Sequence, residues 1–289
     1  MHITISPEAA ETFVERWPAA LAALAGPFAY RTLSEMETSW LIAQEPSLRR
    51  TIGVMVRPPM DRSLRKALIS LASQMELPLF ARISPCSFKK GYLLPAPLAS
   101  ADALLRQLQH PGPRAASLAL RCLWGGVPVS VIVRPWQAMR PWEEYRFFFR
   151  KGVLTAISQH HPAAELPRHW RKRALADTLC AFAEQLIAAS HLDTLTADVF
   201  ACANTDKVLL IEINPWAEET DPSLYDWHKD PPVDKALRVR QRDSVLRIPL
   251  VHVSAGRNDA HAGKSISNRR RDHLQRKRQA RQHYKALNA

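Results

Sequence analysis

Leu209-Leu210-Ile211-Glu212-Ile213-Asn214-Pro215-Trp216 is an apolar run broken at Glu212 and Asn214 and halted by Pro215. It reads as a buried strand that ends in a turn. Residues i and i+2 of a strand share a face, with Cα atoms about 7 Å apart, so two oxygen-bearing side chains can converge on one cation. Pro215 stops the strand because it has no N–H to give a ladder. A hard divalent cation such as Mg2+ takes oxygen ligands and usually accompanies phosphates. The segment therefore points to a metal–nucleotide site at the end of a sheet. The bland alternative is a pair of solvent-facing residues ahead of a turn.

A second carboxylate strengthens the metal reading. Leu195-Thr196-Ala197-Asp198-Val199-Phe200 looks like a short strand with one acid at its centre, and Ala203-Asn204-Thr205-Asp206-Lys207 is a polar turn leading back to Glu212. That is the pattern of a hairpin. Antiparallel pairing would set Asp198 beside Glu212 and Asn214, three oxygen ligands that water and phosphate could complete.

The 289 residues are enough for one large or two small domains, and a hydrophobic share of 46% is ordinary for a globular chain. Cys86, Cys122, Cys180 and Cys202 show no C-x-x-C spacing, which argues against a zinc framework or a disulfide scaffold and for a reducing compartment. The first residues do not read as a secretory signal, and no apolar run reaches the length of a membrane span, so a cytoplasmic protein is expected. The net charge of +13 is uneven. Residues 256–289 hold ten Lys or Arg against Asp259 and Asp272, a net +8, which leaves +5 for the rest of the chain. The tail is a detachable basic feature, disordered or helical, beside an expected domain over 1–255.

Along the chain, Ser6-Pro7-Glu8 reads as a helix start, and Phe13, Val14, Trp17, Leu21 and Leu24 recur at helical spacing up to Gly26, with Pro18 expected to kink or split the element. Strands are expected over 51–56 and 79–83, with an amphipathic helix over 61–75 between them. Ser100 caps a short helix ending at Gln109. The stretch 118–159 reads as strand-rich, with strands over 127–133, 145–150 and 153–158 and a tight turn at Lys151-Gly152. The longest helix is expected over 167–190, and 237–253 reads as further sheet. Hairpin connections favour α+β over a doubly wound parallel sheet. Ala262-Gly263-Lys264-Ser265 lacks the first glycine of a P-loop and follows no buried strand, so that reading is rejected. His160, His161 and His169 have neither an i, i+4 helical pair nor cysteine partners and are taken as surface or cleft residues.

These motifs together resemble the cell division cycle protein 123 family. Ile132-Val133-Arg134-Pro135-Trp136, Glu144-Tyr145-Arg146-Phe147-Phe148-Phe149 and Ala156-Ile157-Ser158-Gln159 follow the order and spacing of that family's V-L-R-K-W, E-F-R-x-F-V and G-I-S-Q. Ile211 through Trp227 is similar to its I-D-F-N-P-F-G-E-x-T-D-x-L-L-F-x-W, and Phe80-Ala81-Arg82-Ile83 to its F-P-K-L. The resemblance covers about residues 50–230. It departs at Pro135, where the family has Lys, at Lys90, where it has an acid, and at Glu212, where it has Asp.

The resemblance implies an ATP-grasp fold, two α+β subdomains clamping ATP between antiparallel sheets, with the subdomains at about 1–120 and 121–255. It implies Asp198, Glu212 and Asn214 as magnesium ligands. Arg82 and Lys89 would face the phosphates, Arg134 and the Pro135-Trp136 stretch would lie along the adenine, and Glu144, Arg146 and Gln159 would line the nucleotide cleft. Read without the family, Arg146 is an exposed strand residue, and Tyr145, Phe147 and Phe149 are one-sided core packing. Of the functions implied, the leading expectation is an ATP-dependent carboxylate-amine ligase working through an acyl-phosphate on an unknown carboxylate. The alternative is an assembly chaperone like the eukaryotic members, which bind the gamma subunit of heterotrimeric translation initiation factor two. A second alternative is RNA or DNA contact through Arg269-Arg270-Arg271 and Arg276-Lys277-Arg278, against the simpler reading of a solvated tail.

Overall fold

The computed structural model of the chain describes residues 4–88, 96–167, 170, 172–202 and 207–250. The chain divides into two units, Met1–Val253 and Ser254–Ala289. The second unit, with the basic tail, its two arginine clusters and the rejected P-loop segment, lies outside the described residues.

The elements run in the order α1 (Pro7–Ala10), α2 (Ala19–Ala23), β1 (Ala29–Thr32), α3 (Glu35–Ala43), α4 (Arg62–Ala72), β2 (Leu79–Ile83), β3 (Cys86–Ser87), α5 (Ala101–Gln109), α6 (Pro113–Trp124), β4 (Ser130–Pro135), β5 (Glu144–Arg150), β6 (Val153–Gln159), α7 (Lys172–Ala189), β7 (Leu195–Ala201), β8 (Val208–Asn214), β9 (Ala236–Gln241) and β10 (Ser244–Pro249). Local chemistry starts the helices. The Ser6, Ser34, Asp61 and Ser100 side chains accept from backbone N–H groups of the first turns of α1, α3, α4 and α5, and Glu37 reaches back to the Ser34 N–H to complete a capping box. Pro18 immediately precedes α2 and splits the N-terminal element, as its missing N–H requires.

Two sheets result. The first has the order β1-β4-β2-β3 and is antiparallel throughout. It packs with α3 to α6 around Leu41, Leu68, Ile83, Leu104 and Val131. The second has the order β10-β9-β6-β5-β7-β8, antiparallel except for the β6–β9 pair. One of its faces packs against α7 through Tyr145, Phe147, Phe149, Leu179 and Phe182, so these strand aromatics are core residues. The other face buries Phe148 under Trp216, Tyr225 and Trp227 of the segment after β8. β5 is therefore covered on both faces, which explains a strand reading Tyr-Arg-Phe-Phe-Phe in place of strict alternation. Lys151 and Gly152 join β5 to β6 with φ of 54° and 75°, the left-handed pair that a two-residue hairpin turn needs.

The expected α+β architecture is thus present: two sheets, each packed against its own helices. β4 pairs with β1 and β2, so the first sheet extends to residue 135. Two local expectations fail. Residues 51–56 hold no strand; Arg50–Ile52 is a turn of 3-10 helix closed by Gly53 at φ +73°. The segment from 118 is not strand but the end of α6, which starts at Pro113 and buries Ala115, Ala116 and Ala119. No helix among the described residues is long and apolar enough to cross a membrane.

Candidate functional site

Strand register lines up one polar row across the second sheet. Arg247 pairs with Arg238, Arg238 with Ser158, Ser158 with Arg146, Arg146 with Asp198, and Asp198 with Glu212. Directly opposed residues project to the same face, so six strands place their polar residues in line on the face away from α7. The anticipated hairpin juxtaposition is present: Asp198 sits opposite Glu212, and Thr196 opposite Asn214.

The row is held by ion pairs. Arg146 is 4% exposed and Asp198 1%. Arg146 Nε donates to Asp198 Oδ1 at 2.7 Å and its Nη2 to Oδ2 at 2.7 Å, a bidentate fork. Its Nη1 donates to the Asp221 carbonyl, which ties the segment after β8 to the sheet. Asn214 Nδ2 donates to Asp198 Oδ2 at 3.3 Å and to Glu212 Oε1 at 3.2 Å, so the three side chains converge on one region. From the first sheet, Arg82 donates to Glu212 Oε2, and Arg134 Nη1 to the Ile211 carbonyl at 3.3 Å. The Arg134 guanidinium also lies 4.8 Å from the Phe80 ring centre.

Titration follows this arrangement. Burial raises the Glu212 carboxyl, but the Arg82 charge, the hydrogen bond donated by Asn214 and the Arg146 charge outweigh it and hold the group well below the ordinary carboxylate range. Burial pushes Asp198 up, against the pull of Arg146 and His160. Glu144 ends below its usual value because its hydrogen bond with His161 and the charges of His160 and His161 overcome burial. Burial and then the neighbouring Arg82 push Arg134 down to about 10.

Between the two sheets lies a cleft of about 420 Å³, within the range of small-molecule sites. Of the residues expected from the sequence, Arg82, Arg134, Trp136, Glu144, Arg146, Glu212 and Asn214 line it. Asp198 lies beneath the lining, against Arg146. Lys89, Lys90 and His169 lie outside the described residues. Gln159 is a correction: it is fully buried and absent from the cleft wall. Its amide nitrogen donates to the His161 and Ala164 carbonyls and its oxygen accepts from Arg240 N, so its polar atoms are spent on backbone. Arg146 is a second correction to the reading made without the family, since it is buried and paired and not an exposed strand residue.

Arg114 and Arg140 also line the cleft and were missed as site residues, and His160 and His161, read as surface or cleft residues, line it too. Arg114 sits on α6, a helix the sequence reading did not assign, and single basic residues give no pattern to read. Adjacent histidines alternate faces on a strand, but β6 ends at Gln159, so both imidazoles reach Glu144.

The residues can accommodate a magnesium ion in donor chemistry: two carboxylates and an amide, hard oxygen ligands that already converge. Rotation of the Asn214 amide, whose oxygen and nitrogen are interchangeable in shape, would turn its Oδ1 toward the carboxylates. Arg82 and Arg146 occupy those carboxylates in the structure, so a cation would take them over from the guanidiniums.

A family model described as D123 matches residues 97–269, more than half of the chain. A cell division cycle protein 123 from Phaeosphaeria nodorum is 30% identical over 140 residues, 46% of this chain and 35% of that protein. A translation initiation factor eIF2 assembly protein from Aspergillus niger is 31% identical over 157 residues, 50% of this chain and 41% of that protein. The matches therefore span well under half the length of these curated relatives. The structure of Cdc123 from Schizosaccharomyces pombe superimposes with a TM-score of 0.59 at 14% identity, covering 78% of this chain and 92% of that one. The relatives named as assembly proteins overturn the carboxylate-amine ligase expected from the sequence and favour the alternative reading. From the family match, the ordered motifs and the shared fold, the chain belongs to the D123, or cell division cycle protein 123, family.

Proposed function

We propose that the protein is a nucleotide-binding assembly factor acting on a protein client of the translation initiation factor eIF2 class. The observation that carries the nucleotide half is the junction of the two sheets, where Arg82 of β2 meets Glu212 of β8 beside the Arg146–Asp198 pair. A cleft holding both guanidiniums and carboxylates suits a polyphosphate with its counter-cation better than either alone. In this reading Asp198, Glu212 and Asn214 hold Mg2+, which would offset charge on the phosphate oxygens. Arg82, freed from Glu212, turns to the phosphates. Phe80 and Trp136, with ring centres 6.4 Å apart, offer apolar surface to the base along Arg134. A ligand touching both sheets would fix their relative position, which is how nucleotide binding would reach a client surface.

The client half rests on the names of relatives that this chain matches over part of their length. Co-expression with the subunits of an eIF2-type heterotrimer tests it. The wild type should raise the yield of assembled complex, and Asp198→Asn combined with Glu212→Gln should not. Equal yields with wild type, double variant and no added chain would reject the assembly role.

A further inference from the structure

Glu144, His160 and His161 each place one ligand atom within 4.8 Å of the others at the wall of the cleft. We propose that these three residues form a second metal site, selective for a borderline transition-metal cation such as Zn2+ and separate in donor chemistry from the oxygen ligands around Asp198.

The distances suit it. His161 Nε2 lies 2.9 Å from Glu144 Oε2 and His160 Nε2 3.7 Å from Glu144 Oε1. A tetrahedral ion with bonds of about 2.0–2.1 Å separates its ligand atoms by about 3.3 Å, so small side-chain rotations within the 4.8 Å span would draw the three ligand atoms in. Two imidazoles and one carboxylate leave a fourth position open, and here it faces the cleft. Imidazole nitrogen favours zinc, copper, iron or nickel over magnesium, so the site would not compete for the same ion as Asp198, Glu212 and Asn214.

The surroundings support the ligands. His160 Nδ1 is buried and has no hydrogen-bond partner, yet it lies 4.0 Å from Asp198 Oδ1. With Nε2 on a metal, Nδ1–H would point at that carboxylate, the arrangement that orients most metal-bound imidazoles. The backbone is fixed as well. His160 N donates to the Glu144 carbonyl at 2.8 Å, and Gln159 Nε2 to the His161 carbonyl at 3.0 Å. Gln159, absent from the cleft, is thereby a positioning residue for the histidine turn.

The test needs no nucleotide, so it stands or falls apart from the proposed function. The full chain is titrated with Zn2+ by calorimetry, and with Co2+ by visible absorption, in buffer containing millimolar Mg2+. The expected result is one saturable site with tetrahedral cobalt bands, weakened at least tenfold in His161→Ala and in Glu144→Gln. A circular-dichroism spectrum of each variant matching the wild type separates loss of the site from loss of the fold. Absence of a saturable site, or unchanged affinity in His161→Ala, would overturn the proposal.

Discussion

Arg146 is buried to a degree that a guanidinium tolerates only when every strong donor is met. Removing it would strip Asp198 of its ion-pair partner in the buried sheet, which costs about 3–5 kcal/mol in comparable buried pairs. Arg146→Ala should therefore lower stability by that amount in denaturant unfolding, and a loss under 1 kcal/mol would refute the pairing. The carboxylates add a pH signature. Glu144 and Glu212 are both held below their ordinary value of 4.5. A depressed carboxyl contributes stability that is complete above its unfolded value and is lost as pH falls through the folded one. Wild-type stability should drop more steeply below pH 4.5 than that of Glu212→Gln, and parallel curves would contradict this. Glu212, Asn214 and Asp198 were legible because strand period and hairpin grammar act on neighbours in sequence. The burial of Arg146 was not, because it depends on β5 being a central strand covered from both sides.

The segment between β8 and β9 is irregular yet tightly organised. Trp227 Nε1 donates to the Thr220 carbonyl at 2.7 Å, Thr220 Oγ1 to Pro215 O at 2.8 Å, and Leu224 N to Ser158 Oγ at 3.0 Å. Arg238 anchors its far end: it stacks 3.7 Å from the centre of the Tyr225 ring and donates to Asp230 and Asp234. These bonds fix the Asp221 carbonyl over Arg146. Trp227→Phe keeps the aromatic packing on Phe148 but deletes one half-buried hydrogen bond, worth about 1 kcal/mol. It should speed amide exchange across 217–224 while leaving the strands protected, and unchanged exchange would mean that the bond does not hold the segment. The sequence read the flanking strands well, since alternation and β-branched residues mark them. It left α6 unassigned and folded its last turns into a strand-rich stretch from 118, because Ala and Leu after Pro113 show their helical face only once Ala115, Ala116 and Ala119 are seen buried together. It also misread 51–56, where β-branched Thr51 and Ile52 imitate a strand but Gly53 turns the chain.

At the scale of the whole molecule, two sheets with separate cores meet through a few cross-sheet contacts, Arg82 to Glu212 and Arg134 to the Ile211 carbonyl among them. These are polar and replaceable, unlike the apolar packing within each subdomain, and a ligand could take them over without disturbing either core. The family and the fold were legible because four short motifs occur in order. The choice between a ligase and an assembly factor was not, because a client is met on surfaces that no short motif encodes. The central claim is that this junction is a magnesium-nucleotide site, and calorimetry of MgATP binding to the wild type and to Asp198→Asn combined with Glu212→Gln tests it most directly. The account predicts saturable one-to-one binding to the wild type and at least tenfold weaker binding to the folded double variant. Absence of binding to the wild type, or equal affinity in both proteins, would contradict it.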